Sequence, residues 1–96
     1  MKVFWTTEAE ETFNQNISYL EEEWNAAVIE NFIYKTEEAI NAIAQHPFIF
    51  PSINKRKQIH KCLVVKQVSV YYQILENRID LLTFWNNYQN PKKLKL

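Results

Sequence analysis

The residues of this chain best suited to chemistry are few, and their types favour contact with an anion. Lys55, Arg56, Lys57 and Lys61, with His60 among them, form its only dense basic cluster. Such a cluster attracts phosphate or an acidic partner. The same charges in a turn are also common on any solvated surface. Lys66 adds a cation, and Tyr71, Tyr72 and Tyr88 add rings that can stack on nucleobases. Neighbours on a strand point oppositely, so at least one of Tyr71 and Tyr72 must face a core. Alternation assigns that place to Tyr72, whereas Tyr88 lies beyond the strand and can reach solvent.

The other reactive types give less. His46 and His60 have no second ligand at helical or hairpin spacing, so no metal site is expected. His46, beside Pro47, suits a helix C-terminus. Cys62 is the only cysteine, so an internal disulfide is impossible and a reducing cytoplasm fits best. Glu10, Glu11, Glu21, Glu22 and Glu23 read as a solvated helix face, without the spacing of a carboxylate pair. No cofactor motif stands out. Trp5 and Trp24 read as core anchors. Trp85, near a strand end, is partly exposed and suits a protein interface.

The elements that must hold these residues follow from periodicity. Ile59 to Pro91 contains three alternating segments separated by polar turns. Val68, Val70, Tyr72 and Ile74 share one face, and Ile79, Leu81, Thr83 and Trp85 repeat the pattern. Three strands joined by tight turns make an antiparallel meander. Lys2 to Trp5 reads as a further strand. Thr6 or Thr7 then caps a helix whose stripe is Ala9, Phe13, Ile17, Leu20 and Trp24. Asn25 caps a second helix with Val28, Phe32, Thr36, Ala39, Ile40 and Ile43 on its buried side, and Pro47 ends it near His46. The short link makes an antiparallel helical hairpin. Pro47 to Asn54 reads as a loop pinned by Phe48 and Phe50. The chain has no glycine, so Asn54 and Asn77 are the expected positive-φ positions. The tail after Pro91 reads as frayed or extended.

With 96 residues, one domain spanning 1–96 is expected. The formal net charge is zero, which excludes a globally polybasic or polyacidic chain. The first half is acid-rich, and Lys55 to Lys66 and the tail are basic. The N-terminus turns acidic without a signal-peptide core, and no apolar run approaches the roughly 20 residues of a membrane span. The fold expected is α+β, in the order β-α-α-β-β-β, with a helical hairpin packed on an antiparallel sheet.

This order, with Val3-Phe4-Trp5-Thr6 before Ala9, Tyr19-Leu20, Phe32, Ile43, Pro47, Tyr71-Tyr72-Gln73-Ile74, Ile79-Asp80-Leu81-Leu82 and Asn90-Pro91, resembles the RelE/ParE superfamily. Its members are toxins of bacterial type II toxin–antitoxin systems, known also from plasmid stabilisation. The resemblance covers nearly the whole chain. It implies a cytoplasmic toxin held by a cognate antitoxin lying across the helical hairpin and sheet. In the ribonuclease branch, which cleaves messenger RNA on the ribosome, basic strand residues and a C-terminal tyrosine surround the scissile phosphate. The candidates here are Lys61, Lys66 and Tyr88. Cys62 and Leu63 stand where those members often carry arginine, and Trp85-Asn86-Asn87 replaces an arginine- or histidine-bearing run. The closer resemblance is to the ParE-like branch, associated with poisoning DNA gyrase. Lys55, Arg56, Lys57, Lys61, Trp85 and Tyr88 then become candidates for target or antitoxin binding. An inactive toxin-fold binding protein is the third reading.

Overall fold

Thr6 begins the helical layer. Its hydroxyl accepts from Ala9 N–H at 3.1 Å, capping the helix, and donates to Leu81 O at 2.7 Å, tying that end to the sheet. In this computed structural model, which describes residues 1–96, the elements run β1 (Val3–Trp5), α1 (Thr7–Glu23), α2 (Ala26–Gln45), β2 (Ser52–Asn54), β3 (Ile59–Val65), β4 (Val68–Ile74) and β5 (Ile79–Asn86). A 3-10 turn at Pro91–Lys93 follows. Asn25 caps α2 by accepting from Val28 N–H at 3.1 Å, and α2 ends at Gln45, two residues before Pro47.

The architecture is α+β, with the two helices packed on one face of a five-stranded sheet ordered β1-β5-β4-β3-β2. β3, β4 and β5 form the antiparallel meander. β1 joins the far side of β5 in parallel, Val3 opposite Ile79 and Trp5 opposite Leu81, so the sheet is mixed. Ser52–Asn54, read from sequence as part of a loop, instead pairs with the start of β3 as a short edge strand.

Apolar residues from both layers meet in one cluster. Ala9, Leu20, Phe32 and Ile43 from the helices lie against Val68, Val70, Tyr72, Ile79, Leu81 and Phe84 from the sheet, all buried. Phe13, Ile17 and Ile40 are only half-buried at the margins of the helical layer. Trp5, Phe13, Phe32 and Phe84 form a ring group with centroid separations from 5.1 to 6.4 Å.

Strict alternation fails at one place. The register between β4 and β5 slips after Tyr72–Leu81, so that Tyr71 opposes Thr83 and Leu82 is the extra residue. This bulge resets the two-residue period. Phe84 therefore enters the core, while Thr83 and Trp85, expected there, fall on the other face.

Other expectations are corrected at the periphery. Trp24 is 45% exposed, because the helix ends at Glu23 and Trp24 adopts extended backbone at its C-cap. Phe48 is 65% exposed, whereas Phe50 alone packs on the core, edge-on to Tyr72 at 6.4 Å. The one positive-φ residue is Gln58, at φ 55°, not Asn54 or Asn77. Asn54 instead accepts from Lys57 N–H at 3.0 Å, forming the turn before β3.

Candidate functional site

The sheet face turned away from the helices carries most of the chemistry. Strand pairing sets its side chains in rows: Ile59, Gln73 and Asp80; Lys61, Tyr71 and Thr83; Leu63, Ser69 and Trp85. The middle row is the only one with a strand cation. Lys61 Nζ stands 5.9 Å from the centroid of the Tyr71 ring, a cation–π contact. Tyr71 is thereby 5% exposed although it faces away from the core. Both tyrosines of the pair are buried, Tyr72 against the helices and Tyr71 under Lys61 and its neighbours.

The sequence candidates do not converge on one point. Lys55, Arg56 and Lys57 are exposed in the β2–β3 turn, at the same end of the sheet as the β4–β5 turn. Lys66 and Tyr88 lie at the opposite end, where Asn87 Nδ2 donates to Lys66 O at 3.1 Å and Asn87 Oδ1 accepts from Ser69 at 2.9 Å. The seven residues of β3 separate the two ends by roughly 20 Å. One phosphate cannot touch both groups. Lys61 stands between them, and Trp85 is half-buried in the row beside it. Tyr88 is 56% exposed, its backbone N–H held by Asn86 Oδ1 at 2.9 Å.

His60 leaves the basic cluster altogether. It is 4% exposed on the core face, stacked on Tyr72 at 5.5 Å. Its Nδ1 lies 2.9 Å from Phe50 O, and the Tyr72 hydroxyl donates to Pro47 O at 2.6 Å. These two bonds hold the Pro47–Pro51 segment against the sheet. Alternation next to Lys61 was the signal that His60 turns inward. Burial raises the Cys62 thiol to about 11 from its ordinary 9.0, which keeps it protonated and unreactive near neutrality. Burial, and then the nearby Cys62, push the Tyr72 hydroxyl further upward.

Two grooves flank the last strand. One, of about 300 Å³, lies between α1 and β5 and is lined by Thr12, Asn16, Thr83, Trp85, Asn86 and Lys93. The other, of about 560 Å³, is lined by Lys57, Ile59, Gln73, Leu82, Lys95 and Leu96. The tail therefore folds back beside the open face, a placement that its basic composition did not reveal. Among all side chains, no three His, Cys, Asp or Glu residues gather closely enough to hold a metal ion. No helix is long and apolar enough to cross a membrane.

No family model matches the chain, and no curated protein matches it. Solved structures do. A chain of the chromosomal ParDE toxin–antitoxin system from P. aeruginosa superposes with a TM-score of 0.73 at 10% identity, over 90% of this chain and 95% of that one. A YoeB/ParE toxin from Agrobacterium tumefaciens gives 0.64 at 13% identity, over 92% and 100%. The YoeB dimer from Staphylococcus aureus gives 0.61 at 12% identity, over 92% and 98%. Two helices on a meander whose far edge is completed by the N-terminal strand are the architecture these proteins share: the chain has the RelE/ParE-like toxin fold.

Proposed function

We propose that this chain is the toxin of a toxin–antitoxin pair, neutralised by a cognate antitoxin protein. It acts in the ParE-like manner, by binding a macromolecular target such as DNA gyrase rather than by cutting RNA. The observation that carries this reading is the Lys61–Tyr71–Thr83 row at the centre of the open face. RNA cleavage needs a base, a proton donor and stabilisation of a doubly charged phosphorane. The row offers one ammonium group. The chain's two arginines sit elsewhere: Arg56 in the β2–β3 turn, and Arg78 beside the β4–β5 turn, paired with Asp80 at 3.0 Å. The one strand histidine, His60, is turned into the core. Of the ribonuclease candidates, Lys66 and Tyr88 share the end of the sheet beyond Val65, and Lys61 stands back along β3 by roughly 13 Å of strand, so the cations are spread along the strand rather than gathered at one point.

The discriminating experiment runs two assays on the same protein. Inhibition of gyrase supercoiling without ribosome-dependent cleavage of messenger RNA is the expected result. Cleavage that is lost in Lys61→Ala or Tyr88→Phe, in variants that still fold, would replace the proposal with the endonuclease reading. Growth arrest on expression, relieved by the neighbouring gene, tests the toxin–antitoxin half separately.

A further inference from the structure

The groove between α1 and β5 has a wall whose hydrogen-bonding groups are unevenly used. Beyond β1, Phe84 turns its backbone toward α1, where its N–H donates to Thr12 Oγ1 at 2.9 Å and its C=O accepts from Asn16 Nδ2 at 3.0 Å. Backbone direction alternates along a strand, so Asn86, two residues on, turns the same way. Its C=O accepts from Gln89 N–H at 3.0 Å, and its Oδ1 accepts from Tyr88 N–H at 2.9 Å. The acceptors of Asn86 are therefore engaged, while its backbone N–H and its Nδ2 remain free on the groove side.

Thr83 is similar. It is 3% exposed and Asn86 8%, yet the Thr83 hydroxyl makes no bond within the chain. No side-chain nitrogen or oxygen sealed from solvent lacks a partner. The Thr83 hydroxyl and Asn86 Nδ2 must therefore open onto the groove of about 300 Å³ that both residues line. The indole N–H of Trp85, on the same wall, is also unpaired. Nearly buried residues that keep polar hydrogens free toward one cavity favour an occupant rich in acceptors, because an unmet donor in such a place is costly.

Charge and spacing narrow the occupant. Lys93 and Lys95 of the tail line the groove, neither is in an ion pair, and Glu8 is the only carboxylate there. Lys95 also borders Glu8, Thr6 and Leu82 in the second groove, so it stands at the Thr83 end, and Lys93 does not. Half-buried Leu94 lies between the two lysines. Thr83 and Asn86 are three residues apart on β5, roughly 10 Å of strand. A compact anion such as phosphate cannot reach both. We infer that this groove binds a small elongated dicarboxylate, with one carboxylate at Asn86, Trp85 and Lys93, the other at Thr83 and Lys95, and the methylene stem against Leu94. Nothing in this site depends on the toxin–antitoxin reading.

Titration of the isotope-labelled full chain with glutarate at fixed ionic strength, followed by NMR, tests it. The expected result is saturable shifts of the Asn86 side-chain amide, the Trp85 indole N–H and the Thr83 amide, with a Kd of about 1 mM. Inorganic phosphate, which lacks a second end, and the matching diol, which lacks charge, should bind at least about tenfold more weakly. Asn86→Asp keeps the acceptor that holds Tyr88 and replaces the free donor with a group of the wrong sign, so it should weaken glutarate binding by about tenfold or more. Lys93→Gln, at the surface, should weaken it by about threefold. Shifts that do not saturate, an adventitious association only, overturn the inference. So do equal shifts with phosphate or the diol. Unchanged affinity in Asn86→Asp, or in Lys93→Gln should the first variant not fold, overturns it as well.

Discussion

Asn16 donates its side-chain N–H to the carbonyl of Phe84 at 3.0 Å, across 68 residues of sequence. The contact joins α1 to the edge of β5, and Thr12 completes it by accepting from Phe84 N–H at 2.9 Å. A buried polar residue on an apolar helix face thus satisfies a backbone that would otherwise be orphaned. Asn16→Ala should lower stability by about 1–3 kcal/mol, the cost of leaving a buried carbonyl unpaired. Thr12→Val should cost a similar amount, and the double variant should cost less than the sum, since both serve one residue. Urea midpoints for the three variants measure this.

Phe84 and Trp85 are neighbours with opposite surroundings. Phe84 is 2% exposed within the ring group, whereas Trp85 is half-buried on the open face. Phe84→Ala should cost about 3–5 kcal/mol and leave a chain of this size largely unfolded. Trp85→Ala should stay folded, with a much smaller loss, and any loss of target inhibition would then be separable from stability. Circular dichroism with thermal melts distinguishes the two.

The alkaline limb of stability should carry the Cys62 signature. The folded thiol titrates at about 11 against an ordinary 9.0, so the folded state holds the proton more tightly. The resulting stabilisation is complete below pH 9, falls as pH rises through that window, and is gone above the folded value. Tyr72, also shifted upward, steepens the loss at still higher pH. Cys62→Ser or Cys62→Ala should flatten the curve between pH 9 and 11. Alkylation of native protein at pH 8 should be far slower than after denaturation.

Thr6→Ala should destabilise by about 1–2 kcal/mol, because one hydroxyl both caps α1 and anchors it to Leu81. Thr6→Ser should recover most of the loss. Hydrogen exchange should place the weakening at the first turn of α1 and at β1.

Lys61→Ala should change stability by no more than about 1 kcal/mol, the scale of a cation–π contact at an accessible site. Its effect on partner affinity should be larger at low salt than at high salt. Titration at two ionic strengths checks this.

How much of this was legible depends on range. The helices, their caps at Thr6 and Asn25 and the meander follow from local patterns: a 3.6-residue stripe, a hydroxyl or amide before it, alternation with polar turns. What escaped was set by distant neighbours. Leu82 becomes a bulge because Tyr72 and Tyr71 pair on either side of it, which no local period announces. Gln58 takes positive φ although Asn54 and Asn77 are chemically better suited, because Asn54 is spent capping the turn. Ser52–Asn54 becomes a strand only because β3 lies beside it. Within the candidate site, the residue types were readable, but their division between the two ends of the sheet required the register. Thr83 and Asn87 were missed, since neither stands out until Tyr71 and Ser69 are set beside them.

The slip at Leu82 also governs how β5 can change length. Removing Leu82 would make the strand regular and would spare every ladder partner: Leu81 would stay opposite Tyr72, Thr83 opposite Tyr71 and Phe84 opposite Val70. The aromatic group would keep its place on the helical side. The facing run of β4, from Val68 to Ile74, has no such spare residue, and losing one there would turn its neighbours to the opposite face. β5 therefore carries one residue of slack, and Leu82 is the point at which the strand can shorten without disturbing the core.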